Sequence, residues 1–208
     1  MSDLYVFIHV PKTGGSTFAK EIMEKNMRAI RFPRGCIPAG GWDSYVGVHG
    51  HDKIINAENS RAFAGRNKIY ITFLREPVRR LLSFYYFVDH SDSIEKWLID
   101  NRQNLQNRSV WHLSSLHNTP PNRDDLESAM VNIEGIELFL TDRFDESLIR
   151  LKNKYPIFSD ISYKKRNITK KNYNFESQPD RVKSMLYEYT ELDRELYNYA
   201  KKIFENDK

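Results

Sequence analysis

Residues Pro11 to Thr17 read Pro-Lys-Thr-Gly-Gly-Ser-Thr, a lysine followed by two glycines and ringed by hydroxyls. That composition suits a phosphate-like anion. The preceding run, Leu4 to Val10, is apolar and rich in β-branched and aromatic residues, as in a strand buried on both faces. The following residues, Ser16 to Met27, place Phe18, Ile22 and Met23 on one helical face. A strand, a tight turn and a helix start leave backbone N–H groups unpaired and pointing outwards, where the helix dipole favours negative charge. Gly14 and Gly15 let the backbone approach the anion. Thr13, Ser16 and Thr17 add donors, and Lys12 adds charge. The lysine precedes the glycines, whereas the pattern G-x-x-x-x-G-K-[ST] places it after them. This is therefore a different phosphate loop on a similar architecture.

A second group lies in Ile71 to Phe87. Arg75 falls just past the predicted strand Lys68–Leu74, at the sheet edge where open α/β folds bind ligands. On the helix that follows, Arg79, Ser83 and Tyr86 share one face, while Val78, Leu81, Leu82 and Tyr85 form the apolar side. Arg75 and Ser83 can converge on a second phosphate, the arginine as a fork and the serine as a donor. The segment alone equally allows Arg75 to pair with an acid and Ser83 to be an ordinary helix serine.

A third group is His49-Gly50-His51. Histidine is the side chain best suited to take a proton near neutrality. At a spacing of two, both rings point the same way if the strand persists, and Gly50 permits a turn instead. Metal ligation would need a further Cys/His cluster nearby, which is missing, so no metal is expected. Packed structural histidines remain an alternative. His9 reads as core, and His90, His112 and His117 lack comparable support.

The elements that must hold these residues alternate. After the first strand and helix, residues 28–32 suggest a short strand, 33–44 a loop with three glycines and two prolines, and 45–51 a strand end. A short helix over 55–65, closed by Gly65, leads to the strand Lys68–Leu74. Pro77 suits the first turn of the next helix, which runs to Val88. A further helix is predicted over 93–106, a polar loop over 113–125, a late strand over 136–140, and a helix from Asp145, its N-cap, to Tyr155. Residues 162–175 form a basic loop. From Gln178 onwards Leu186, Tyr189, Leu192, Leu196, Tyr199 and Ile203 keep helical spacing. This alternation predicts one α/β domain over residues 1–208, with a mostly parallel central sheet between helices and a P-loop-like nucleotide-binding architecture.

The 208 residues allow a sizeable core. The formal charge of +4 accommodates an anionic ligand, and it is too small to imply nucleic acid as a partner. The single cysteine, Cys36, excludes an intrachain disulfide. No run is long enough for a membrane span and no leader is visible, so a cytoplasmic location is expected.

Together the motifs resemble the PAPS-dependent sulfotransferases, in the carbohydrate-type branch that includes heparan sulfate 2-O-sulfotransferase. Residues 11–17 resemble that family's 5′-phosphosulfate loop, 73–87 its 3′-phosphate segment, and 48–51 its histidine-containing strand end. Residues 104–115, 138–151 and 189–204 are similar to later segments, in the same order. The resemblance implies that Lys12, Thr13, Gly14, Gly15, Ser16 and Thr17 hold the 5′ end of PAPS, and that Arg75 and Ser83 hold its 3′-phosphate. Residues 164–169 would lie near the adenine. His51, or else His49, would be the base, and Lys12 would also act on the leaving group. The expected acceptor is a hydroxyl-bearing carbohydrate or small molecule, with adenosine 3′,5′-bisphosphate (PAP) as product and no metal required. An ATP-dependent P-loop kinase would need the GK[ST] order and an acidic metal ligand at a strand end, where this chain has Arg75. A non-catalytic nucleotide-binding relative is the remaining alternative.

Overall fold

The structure, a computed structural model, describes residues 3–31, 44–60, 63–88, 93–116, 118–166 and 174–206. Five described strands form one sheet in the order β2-β3-β1-β4-β5. They are β1 (Leu4–Ile8), β2 (Ala29–Arg31), β3 (Gly47–Gly50), β4 (Lys68–Leu74) and β5 (Glu137–Leu140). Every pairing among them is parallel, with Tyr5 opposite both Gly47 and Ile69. Such a sheet is covered on both faces, which explains why all five residues of β1 are buried. Tyr5 meets Tyr155 and Phe158 edge-on, while Phe7 packs against Phe18 and Phe73.

The strand order fixes where a ligand fits. From β1 the chain goes to the edge at β2, returns to β3, then crosses to β4 on the other side of β1. The segments leaving β1 and β4 therefore depart in opposite directions. A crevice opens between their C-terminal ends, the place where open α/β sheets bind ligands.

The helices differ from the sequence expectation in instructive ways. The first begins at Gly15, not Ser16, and ends at Asn26. Its middle, Phe18–Met23, is π-helical, flanked by α-helical Gly15–Thr17 and Glu24–Asn26. The helix after β3 covers only Ile54–Glu58, and Gly65, at φ 74°, turns a later bend instead of closing it. The helix predicted over 93–106 breaks at Asn101, whose side chain donates to the Trp97 carbonyl (2.9 Å). Two pieces result, Ile94–Asp100 and Arg102–Leu105. Asp145 does not cap the helix Phe144–Lys154, because Arg143 holds that position and Asp145 accepts from the Tyr163 hydroxyl (2.6 Å).

The C-terminal pattern is likewise two helices, Asp180–Tyr189 and Glu191–Asn206. The Thr190 hydroxyl between them turns back to the Leu186 carbonyl (2.7 Å). Two helices were not read from sequence, Arg108–Leu113 and Arg123–Glu134. The second starts at a reciprocal cap between Asn122 and Asp125, which ends the polar loop. The predicted loop over 33–44 lies outside the described residues except for Ser44. Among the described residues no helix is long and apolar enough to cross a membrane.

Candidate active site

The crevice at the ends of β1 and β4 is a cleft of about 680 Å³. One wall is the loop after β1. Lys12 and Gly14 both adopt left-handed backbone, at φ 70° and 81°. Glycine tolerates that conformation, and lysine does so at a cost of about 1 kcal/mol or more. The Gly14 carbonyl accepts from the N–H groups of Thr17 (3.0 Å) and Phe18 (3.1 Å). Gly15 and Ser16 thus precede the first helical hydrogen bonds, and their N–H groups are available to an anion. The Thr13 hydroxyl turns inward to the Val10 carbonyl (2.8 Å), and the Thr13 carbonyl accepts from the Thr141 hydroxyl (2.8 Å). Thr13 is fully buried and does not line the cleft, so it braces the loop.

The opposite wall comes from β4 and its helix, Pro77–Tyr85. Glu76 caps that helix, accepting from the Val78 and Arg79 N–H groups (3.1 and 2.7 Å). Arg75 Nη1 donates to the Lys12 carbonyl (3.3 Å), while its Nε is buried without a partner. Ser83, Phe84 and Phe87 complete the wall. Lys12 Nζ lies 3.6 Å from the centre of the Phe87 ring. Partial burial, and then the nearby Arg75 charge, bring the Lys12 amine down to about 8.

The histidines separate into two rows on the side of the first helix. His49 is buried one row down and bonds Glu24 in that helix (Nε2 to Oε1, 3.2 Å). It does not line this cleft. Beyond it the strand ends at Gly50, and His51 emerges exposed at the rim. His51 Nδ1 lies 2.8 Å from the His9 carbonyl, which can only accept. Nδ1 therefore carries the proton and Nε2 carries the lone pair. His9, expected to be core, lines the cleft, with its ring centre 3.9 Å from that of His51. Partial desolvation lowers the His51 ring below the ordinary histidine value although the residue reaches solvent, and fuller burial takes His9 well below it.

Lys165, Arg166, Tyr163, Phe144, Thr141 and Asp142 close the far end. Arg166 donates its N–H to the Thr17 hydroxyl (3.1 Å) and its guanidinium pairs with Glu21. Residues 167–169 of the predicted adenine segment lie outside the described residues. The charged lining is Lys12, Arg75, Lys165 and Arg166 against the carboxylate of Asp142, an excess of positive charge. A second cleft of about 490 Å³ shares Pro11 and Phe84 with the first, and Arg80, Arg108, Asn101, Asn104 and Trp97 also line it.

No family model matches the chain. It is 29% identical over 113 residues to heparan sulfate 2-O-sulfotransferase hst-2 of Caenorhabditis elegans, covering 44% of this chain and 34% of that protein. It is 30% identical over 110 residues to heparan-sulfate 6-O-sulfotransferase 1-A of Danio rerio, covering 39% of this chain and 26% of that protein. The chain is related to the heparan sulfate sulfotransferases. The matched stretches span about a third and a quarter of the lengths of these two relatives.

For a chain with such sulfotransferase relatives, the geometry sorts the candidate residues. Lys12, Gly14, Gly15, Ser16, Thr17, Arg75, Ser83 and His51 meet in one cleft, whereas Thr13 and His49 stand outside it. Sequence reasoning missed His9, Phe84, Phe87, Phe144 and Tyr163. Only His9 left a signal. It lies two residues after Phe7, just past the end of β1, with Phe7 against Phe18 and His9 against Gly15 of the first helix, a neighbour that must lack Cβ.

Proposed function

We propose that this protein is a sulfotransferase that moves a sulfuryl group from PAPS to a saccharide hydroxyl by in-line displacement. The observation that carries the proposal is the shared cleft: a glycine-lysine anion nest faces an exposed histidine whose Nε2 holds the lone pair. The sequence relationship supports the same chemistry. We read residues 1–208 as one sulfotransferase-like domain on a P-loop-like architecture.

In this reading the N–H groups of Gly15 and Ser16, with Lys12 and the Ser16 and Thr17 hydroxyls, hold the 5′ end. Arg75 and Ser83 hold the 3′-phosphate, and the unpartnered Arg75 Nε fits an added acceptor oxygen. His51 Nε2 takes the proton of the acceptor hydroxyl. The acceptor oxygen bonds to sulfur as the bond from sulfur to the 5′-phosphate oxygen breaks. Lys12 and the helix N–H groups stabilise the charge gathering on that leaving oxygen. PAP and a sulfate ester are the products. Most of the work is positioning and electrostatics, as in phosphoryl transfer. His49 has a different task, holding Glu24 beneath the site. The second cleft adjoins the first and offers the amides of Asn101 and Asn104, groups that suit the hydroxyls of a sugar, beside the buried Trp97.

The test is to follow PAP release from PAPS with a desulfated heparan oligosaccharide as acceptor. His51→Ala and Lys12→Ala are expected to lower kcat about 100-fold or more, the scale of losing a general base or a charge-stabilising donor. PAP is expected to bind more tightly than ATP. Folded variants that keep wild-type turnover would overturn the assignment, and a preference for ATP would favour a kinase.

A further inference from the structure

His9 is not an ordinary core histidine. A Cβ on Gly15 would fall 2.1 Å from His9 Cδ2 and 2.2 Å from Nε2, so the ring edge lies directly over the glycine that opens the anion nest. One ring face stacks on Phe7 at 5.2 Å, 20° from parallel. The His51 ring lies at 3.9 Å, tilted by 31°. The imidazole is therefore fixed between the nest and the base, with its Cδ2–Nε2 edge turned to Gly15.

We propose that His9 is a second catalytic imidazole, a neutral hydrogen-bond donor to the sulfuryl oxygens in flight between the 5′-phosphate and the acceptor. This inference rests on the sulfotransferase reading above. In an in-line transfer the three oxygens that do not react carry dispersed negative charge, and a fixed donor beside the reaction line stabilises them without reorganising. His9 keeps its proton throughout. The acceptor's proton ends on His51, and the electron pair of the breaking bond ends on the phosphate oxygen. A neutral ring is what the position demands, because a charged one 3.9 Å from His51 would oppose the imidazolium that forms there. The groups around His9 act in that sense: burial first, then His51, His112, His49 and Arg31, hold it well below the ordinary histidine range. Gly15 gains a second reason to be glycine, since any side chain there would displace the donor.

The experiment uses His9→Phe, which keeps a ring but removes the N–H, and His9→Gln, which keeps a donor. PAP affinity by calorimetry reports the nest alone, because PAP lacks the sulfuryl group. PAP release from PAPS, with water or a desulfated heparan oligosaccharide as acceptor, reports the transfer. His9→Phe is expected to bind PAP within about twofold of wild type while kcat falls about 100-fold. His9→Gln is expected to recover at least a tenth of wild-type turnover. If His9→Phe turns over normally, or loses PAP affinity as steeply as turnover, His9 is a packing residue and the inference is overturned. Should His9→Phe not fold, His9→Gln against His9→Met makes the same comparison, and equal rates in that pair overturn it. A wild-type protein that neither binds PAP nor releases it from PAPS brings down the sulfotransferase reading itself.

Discussion

Lys12 combines three features that rarely meet in one residue. Its backbone is left-handed, its carbonyl accepts from Arg75, and its amine lies against Phe87 with its affinity for a proton lowered to about 8. The sequence showed the residue and its type, because a lysine beside paired glycines after a buried strand has few other uses. It could not show the lowered amine, which depends on burial in the folded cleft and then on Arg75, 63 positions away. The consequence is a pH dependence of binding. Free Lys12 loses its proton as pH rises through about 8, whereas an anion on the nest favours the charged form. PAP affinity is therefore expected to fall above pH 8, with net proton uptake on binding there. Calorimetry in two buffers of different ionisation enthalpy measures both. Lys12→Arg does not titrate in this range and is expected to bind without that alkaline loss. An identical alkaline loss in the arginine variant would assign the effect to another group.

Between elements, the joint that holds the wall of the second cleft is a reciprocal cap. The Asp193 carboxylate accepts from the N–H groups of Ser109 (3.2 Å) and Val110 (2.9 Å) at the start of Arg108–Leu113. The Asn107 side chain accepts from the N–H groups of Leu192 and Asp193 at the start of the C-terminal helix (3.0 and 3.3 Å). Arg80, 1% exposed, donates to Asp193 at 3.3 Å and ties the Pro77–Tyr85 helix to both. Helix periodicity reads Val78, Leu81 and Leu82 as buried and has no place for a buried arginine among them. Its partner is 113 residues away, and Asn107, the cap for a fresh helix start after Thr190, is 85 residues from Leu192. The break lets the Glu191–Asn206 helix start where Asn107 can cap it. Asp193→Ala leaves Arg80 buried without its counter-charge and frees two helix N–H groups, an expected cost of about 3–5 kcal/mol. A denaturant titration measures it. A loss within the range of an ordinary surface change, about 0.5 kcal/mol, would show that Arg80 finds water or another acceptor.

Across the whole molecule, strand order explains both the site and a liability. The alternating apolar runs were enough to read β1, β4 and the α/β class, because runs buried on both faces are distinctive. The order β2-β3-β1-β4-β5 was not readable, since pairing partners are set by crossovers between distant segments. That order brings β3 beside β1 and so gathers His9, His49 and His51, with His112 close by on its own helix. Burial is the leading cause in each case, and each ring is held below the ordinary histidine value of 6.5. A histidine with a depressed folded pKa binds its proton more readily in the unfolded chain. Its neutral form is compatible with the fold above about 6.5, and stability is lost as pH falls below that. Glu146, against the raising effect of desolvation, is lowered from the ordinary 4.5 by Arg150 and Arg143, and Glu21 by its bond to Arg166, so their own acid loss begins below the histidine window, while Glu58, raised by burial, opposes the histidine loss. Stability from denaturant titrations is therefore expected to decline between pH 6.5 and 5, and to rise gently towards pH 8, where Lys12 begins to lose its proton in the folded chain only. His112 contributes most cleanly, being fully buried with Nε2 unpartnered and outside the catalytic cleft. In His112→Phe the decline is expected to be shallower by about one proton, whatever the variant's absolute stability. An unchanged slope would mean that His112 titrates alike in the folded and unfolded chains.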